Sequence, residues 1–187
     1  MINSLPVIRW DDEKVAAIGL NPDSSRIDFD FTNGCVSFQN NARYPDEPLC
    51  HPYQLPHKWL EGSEIRPHIH WGQQSINEPN WLLAYKVIGN GDAFTVETDY
   101  TNYIFRKKVS NAFTYTDGAL MQITQFGGID MTGYKLSDLI AFVLFRDSLN
   151  TSGLFSGADP SSLDELLFYF DVHIQVSDWG SRQEYVK

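Results

Sequence analysis

Residues 166–176 read LLFYFDVHIQV, and this run limits the possible folds more than any other. It sets Leu166, Phe168, Phe170, Val172, Ile174 and Val176 against Leu167, Tyr169, Asp171, His173 and Gln175. A period of two held over that length predicts a strand with one buried face, and it excludes an amphipathic helix. Shorter runs of the same kind recur along the chain, separated by Gly, Pro, Asn, Asp and Ser. Ile27–Thr32 alternates, Asn33-Gly34 follows, and Cys35–Gln39 resumes through Val36 and Phe38, which predicts a hairpin. Further strands are predicted at Glu64–Trp71, Trp81–Ile88, Ala93–Tyr100, Asn102–Arg106 and Ala119–Phe126, with GNGD (89–92) as a second hairpin turn. LIAFVLFR (139–146) is apolar on both faces, the pattern of a central strand covered on both sides.

Helical periodicity is nearly absent, and no internal repeat interrupts the pattern. The expected fold is therefore all-β: an antiparallel, jelly-roll-like β-sandwich with long loops and little helix. At 187 residues the chain suits one such domain over 1–187. The first 20 residues carry little periodicity and are expected to form an arm reaching a neighbouring subunit. Residues 40–56, with their prolines, and the polar stretch 147–163 are expected to be loops. Pro67 removes a ladder donor and is expected at an edge or near a strand start.

Composition narrows the function. The net charge of −10, from 24 acidic and 14 basic residues, opposes binding to a phosphate backbone, and Lys107-Lys108 is too small a basic footprint. No apolar run approaches a membrane span, and MINSLPVIRWDDEK lacks the pattern of a signal peptide. Neither nucleic acid nor a membrane is therefore an expected partner. Cys35 and Cys50 are expected to be free thiols of a protein made in a reducing compartment.

The chemistry-bearing stretch is LPHKWLEGSEIRPHIHW (55–71). Strand alternation puts Arg66, His68 and His70 on one face, with Ile65, Ile69 and Trp71 on the other. Two imidazoles at i and i+2 can converge on one ion. Gly62, His68 and His70 also resemble the first half of the cupin metal signature. The carboxylate of that signature is missing, since its positions hold Gln74 and Ser75. Only His173 is available later, with Asp171 on its face. A set of His68, His70, Asp171 and His173 would suit a divalent ion, but the incomplete motif leads to the expectation of no bound metal and no cofactor. The simpler assignment is a polar or subunit-facing surface, with Arg66, His68, His70, Trp59 and Trp179 as candidate interface residues. If so, protonation below about pH 6.5 would loosen that interface. Asp11-Asp12-Glu13 is expected to be a solvated start to the chain. No nucleophile elbow, P-loop or dinucleotide fingerprint occurs, so catalysis is not expected.

Three stretches together resemble a recurring group of tailed-bacteriophage virion proteins. They are residues 55–71 with the strand that follows, GIDMTGYKLSDLIAFVLFRD (128–147), and YFDVHIQVSDWGSRQEYVK (169–187). The resemblance implies a structural component of a phage particle: a capsid decoration or cement protein, or a head-fibre or tail component. It carries no catalytic residues. The implied partner is the major capsid protein or another virion protein, the implied assembly a symmetric homo-oligomer such as a trimer, and the implied location the virion. A receptor- or carbohydrate-binding module of a fibre or tail, stacking sugars on Trp59 and Trp179, is the alternative, followed by a cupin-like metal-binding protein.

Overall fold

The structure is a computed structural model that describes residues 8–17, 21–22, 26–73, 77–92, 100–108, 110–111, 120–159 and 161–177. Among these residues the strands are β1 (Ile8–Ala16), β2 (Asn21–Pro22), β3 (Ile27–Asp30), β4 (Cys35–Phe38), β5 (Leu49–Gln54) and β6 (Ile65–Gln73). They continue with β7 (Trp81–Ile88), β8 (Ile104–Lys107), β9 (Ser110–Asn111), β10 (Leu120–Gln125), β11 (Leu139–Arg146) and β12 (Glu165–Ser177). No described helix is long and apolar enough to cross a membrane.

One sheet runs β3-β4-β12-β6-β10-β9, with β1 also on β12, and the other runs β2-β5-β11-β7-β8. All pairings are antiparallel. Taken in chain order from β4 and leaving out the short β9, successive strands are ordered β4-β12-β6-β10 in one sheet and β5-β11-β7-β8 in the other. That is jelly-roll connectivity, two interlocked Greek keys.

The core lies between the sheets. Ile65, Ile69 and Trp71 of β6 and Phe170, Val172 and Ile174 of β12 meet Trp81, Leu83 and Tyr85 of β7 and Ile140, Phe142 and Leu144 of β11. The Trp81 ring packs edge-on against both Phe38 and Trp71, with centroids 5.2 and 5.7 Å away. As its sequence predicts, β11 is covered on both sides. Val143 and Phe145 join Leu82 and Ala84 in a second buried cluster on the far face of its sheet. Tyr44, Tyr100, Phe105 and Phe155 from the loops and the edge strand β8 pack against that cluster.

The loop over this far face is pinned by a buried charge. Arg146, at the end of β11, is fully buried and donates from Nε to Asp159 at 2.9 Å. Its remaining nitrogens donate to the carbonyls of Phe38, Ser161 and Leu163. Asp159 in turn accepts from the backbone amides of Asn80 and Ser161. Every polar atom of the pair thus has a partner, which allows a buried ion pair to persist. Asp147 continues the network by capping the amides of Thr151 and Ser152.

Several expectations need correction. Residues 8–16 are a strand paired along β12, from Ile8 opposite Ser177 to Ala16 opposite Tyr169, so this part of the chain is no free arm. Lys58 holds that strand through ion pairs with Asp11 and Glu13. Within the expected loop 40–56, β5 bridges β2 and β11, because the apolar β11 needs a partner on that edge. The alternation of β12 is broken by a bulge at Phe168: Leu167 faces Trp71, and Tyr169 then faces His70. The bulge shifts the phase, so Leu167 is buried in the core while Leu166 and Phe168 are only partly buried.

The Asn33-Gly34 hairpin forms, but through a four-residue connection, since Asp30 pairs with Cys35. Only Gly34 takes positive φ (66°) there, and the Asp30 carboxylate caps the amides of Thr32 and Asn33. Pro67 sits near the start of β6, but that strand is interior, flanked by β12 and β10. The GNGD turn closes through an Asp92 amide to Gly89 carbonyl bond, whereas residues 93–99 of the strand expected after it lie outside the described residues. Cys35 and Cys50 are not joined in a disulfide.

Replacing Arg146 by alanine strands the Asp159 carboxylate in the interior. The expected loss is about 3–5 kcal/mol in urea unfolding. A loss below about 1 kcal/mol would contradict the anchoring role.

Candidate functional site

Alternation on β6 and β12 leaves one polar row on the face of the larger sheet that points away from the core. The register sets His68 opposite Asp171 and Arg66 opposite His173. On the other side of β12, Asp12 lies opposite His173 and Lys14 opposite Asp171. Residues at i and i+2 share a face, so three adjacent strands deliver Asp12, His68, His70, Asp171 and His173 to one spot.

Their side chains converge. The His70 Nε2 atom lies 3.0 Å from Asp171 Oδ2, and His68 Nε2 lies 3.5 Å from the same oxygen. His173 Nε2 lies 3.2 Å from Asp12 Oδ1. The His68 ring sits between the two groups, its centroid 5.1 Å from that of His70 and 4.3 Å from that of His173. Two sets of donor atoms each fall within 4.8 Å of one another: His68, His70 and Asp171, and Asp12, His68 and His173.

Although it lies on an outer face, the centre of this cluster is buried. Asp171 is fully buried and His68 is 4% exposed. Among the described residues, neither oxygen of Asp171, nor His70 Nε2, nor Asp12 Oδ1 has a hydrogen-bond partner. The 3.0 Å approach of His70 to Asp171 is therefore a contact without hydrogen-bond alignment. Lys14 reaches Asp171 Oδ2 at 3.9 Å and makes its closer contact, 3.1 Å, with Asp12.

Burial moves His70 and His173 below the ordinary imidazole pKa. For His70 the Asp171 carboxylate partly opposes the shift, and for His173 Asp12 and Asp171 do. Both rings are accordingly neutral at pH 7, and protonating them takes a more acidic medium than the free imidazole value suggests. A groove of about 250 Å³ opens beside the cluster, lined by Arg66, His68, Gln125 and His173 among others.

Around the cluster the same face carries exposed apolar groups: Ile8 and Trp10 on β1, Met121 on β10 and Tyr169 on β12. Arg66 is exposed and stacks its guanidinium 4.6 Å over the Trp10 ring.

The structure thus brings together all four residues that the sequence singles out as potential ligands, and adds Asp12. Asp12 is half-buried rather than a solvated start to the chain. It could not be found by spacing within one strand, because the pairing of β1 with β12 is what delivers it. Among the candidate interface residues, Trp59 is corrected: it is 3% exposed and belongs to the core, bridged to Val176. A sugar-stacking platform built on Trp59 is therefore ruled out, and Trp179 lies outside the described residues. No protein-family model matches the chain, and no curated protein matches it either.

The remaining histidines sit elsewhere. His57 is exposed on a turn. His51, on β5, faces the interior, with its ring centroid 5.4 Å from that of Phe170. Its Nε2 is buried with no hydrogen-bond partner among the described residues, and burial lowers its pKa from 6.5 to about 4. The folded state therefore refuses a proton that the unfolded chain accepts below pH 6.5. The associated stability is complete above pH 6.5 and is lost as pH falls from 6.5 to about 4. The expected loss is at most about 3 kcal/mol. Substituting leucine for His51 should flatten the stability–pH curve over that window in urea titrations; an unchanged curve would clear His51 of the effect.

Proposed function

We propose that this chain is a structural component of a tailed-bacteriophage particle, a capsid decoration or cement protein that binds the head shell as a symmetric homo-oligomer. The observation that carries this reading is the difference between the two faces of the sandwich. The face of the smaller sheet is covered by the chain's own loops, with Tyr44, Tyr100 and Phe155 over Val143 and Phe145. The outer face of the larger sheet keeps Ile8, Trp10, Met121 and Tyr169 exposed around Arg66 and the histidine–aspartate cluster. Aromatic residues, Met and Arg are the types enriched where proteins bind one another, and a polar centre fixes register.

Other features agree with this role. Jelly rolls are a common shell fold of viruses. The phage-protein likeness of residues 55–71, 128–147 and 169–187 points the same way. The net charge of −10 favours solubility before assembly. The occupant assigned to the open face is the major capsid protein, with copies of this chain joined to one another about the symmetry axis.

Three measurements test this. Light scattering at micromolar concentration should give a closed oligomer such as a trimer, and purified particles of the encoding phage should contain the chain in fixed stoichiometry. Replacing both Met121 and Tyr169 by glutamate should weaken binding to expanded shells at least about tenfold, since each sits at the contact with a charge in place of an apolar group. A monomer that is absent from particles and does not bind shells would overturn the proposal.

A further inference from the structure

The geometry points to a divalent transition-metal site on the outer face of the larger sheet, in which His68, His70 and Asp171 bind a zinc-class cation. Asp12 and His173 complete its surroundings. This inference stands apart from the virion reading, because it rests on donor geometry alone.

The donor spacing is the first support. Around a four-coordinate zinc with bonds of about 2.0–2.1 Å, ligand atoms lie roughly 3.3 Å from one another. Here Asp171 Oδ2 is 3.0 Å from His70 Nε2 and 3.5 Å from His68 Nε2. Hydrogen bonding would also bring such atoms together, but it is not what holds them. His70 Nε2 and both Asp171 oxygens are buried and make no hydrogen bond among the described residues. The atoms converge on a common point without donating to each other, as ligands do around a cation.

The charge balance is the second support. A carboxylate with no exposure and no hydrogen bond is strongly disfavoured unless a cation compensates it. Lys14 fills that role only in part, since its Nζ pairs with Asp171 at 3.9 Å and sits closer to Asp12. A dication among the donors would satisfy Asp171 and the lone pairs of the two imidazoles together. Two imidazoles and one carboxylate form a set of intermediate softness, which suits zinc and its first-row neighbours better than magnesium or calcium.

The third support is access. His68 is shared with a second group that contains Asp12 and His173, and the groove lined by Arg66, Gln125 and His173 opens on that side. Three protein ligands with an open position toward a groove describe a site that holds its ion and still admits a water or an outside donor atom. His173 or Asp12 can supply the fourth ligand from within the chain.

The test uses the full chain, made without a histidine tag, stripped with EDTA and dialysed. Titration with ZnCl2 alone, followed by calorimetry and by elemental analysis after desalting, should show one equivalent or more bound per chain. A dissociation constant in the micromolar range or tighter and a rise in Tm of several degrees are expected, with no such rise on adding MgCl2. Cobalt(II) should give visible d–d absorption from a nitrogen–oxygen environment. His70→Gln and Asp171→Asn should each abolish the stoichiometric uptake, while His57→Gln, on an exposed turn, should leave it intact. His70 is the more exposed of the pair, so its variant serves if Asp171→Asn proves unstable. Uptake well below one equivalent by the wild-type chain, or equal uptake by His70→Gln, would overturn the assignment. The cluster would then be a buried polar contact only.

Discussion

The outer face of this sandwich depends on the register in which β12 lies against β6. That pairing runs from Leu166 opposite Gly72 to Ile174 opposite Ile65, with one slip at Phe168. It sends Phe170, Val172 and Ile174 inward with Ile65, Ile69 and Trp71, and it sends Asp171 and His173 outward with His68 and His70. Because side chains alternate with a period of two, a shift by one residue would bury the polar row and expose the apolar one. The hydrophobic requirement of the core therefore fixes the position of the histidine–aspartate cluster. The cluster inherits its geometry from packing on the other side of the sheet.

The bulge at Phe168 belongs to the same constraint. Gly72 faces this stretch, and a Cβ on Gly72 would come within 3.0 Å of the Phe168 ring. The glycine leaves room for that ring, while Leu167 enters the core and Tyr169 reaches the outer face. Without the slip, Tyr169 and Asp171 could not both be outward while Leu167 is inward, because all three have the same parity.

Much of this was legible in the sequence wherever the signal was local. The alternation of 170–176, the double-sided apolar run 139–146, the hairpin around Gly34 and the core positions of Trp71 and Trp81 follow from periodicity and turn chemistry. What was not legible depends on partners distant in the chain. β1 has few apolar residues in phase and becomes a strand because β12 offers an edge. β5 carries Pro52 yet is recruited by β11. Trp59 lies between Lys58 and Leu60 outside any predicted strand, but its side chain is taken into the core. The four ligand candidates were visible as residue types on matching faces, yet their convergence required strand order. Asp12 required a pairing between residues more than 150 positions apart. Arg146 read only as the polar end of an apolar strand, since Asp159 and the carbonyls that satisfy it come from loops.

The two faces of the sandwich thus have different consequences. One is closed by loops that Arg146 holds down, so it contributes stability. The other exposes aromatic and apolar groups around a buried centre in which His70 Nε2 and both Asp171 oxygens make no hydrogen bond among the described residues. Natural cores seldom leave buried carboxylate oxygens unsatisfied, and a bound ion is one way such oxygens are compensated. The most direct measurement is a crystal structure of the untagged chain grown with zinc, with anomalous data collected above and below the zinc edge. The account predicts one strong anomalous peak per chain, about 2.0–2.2 Å from nitrogen atoms of His68 and His70 and an oxygen of Asp171. Histidine rings turned away from Asp171, with no peak between them, would contradict it.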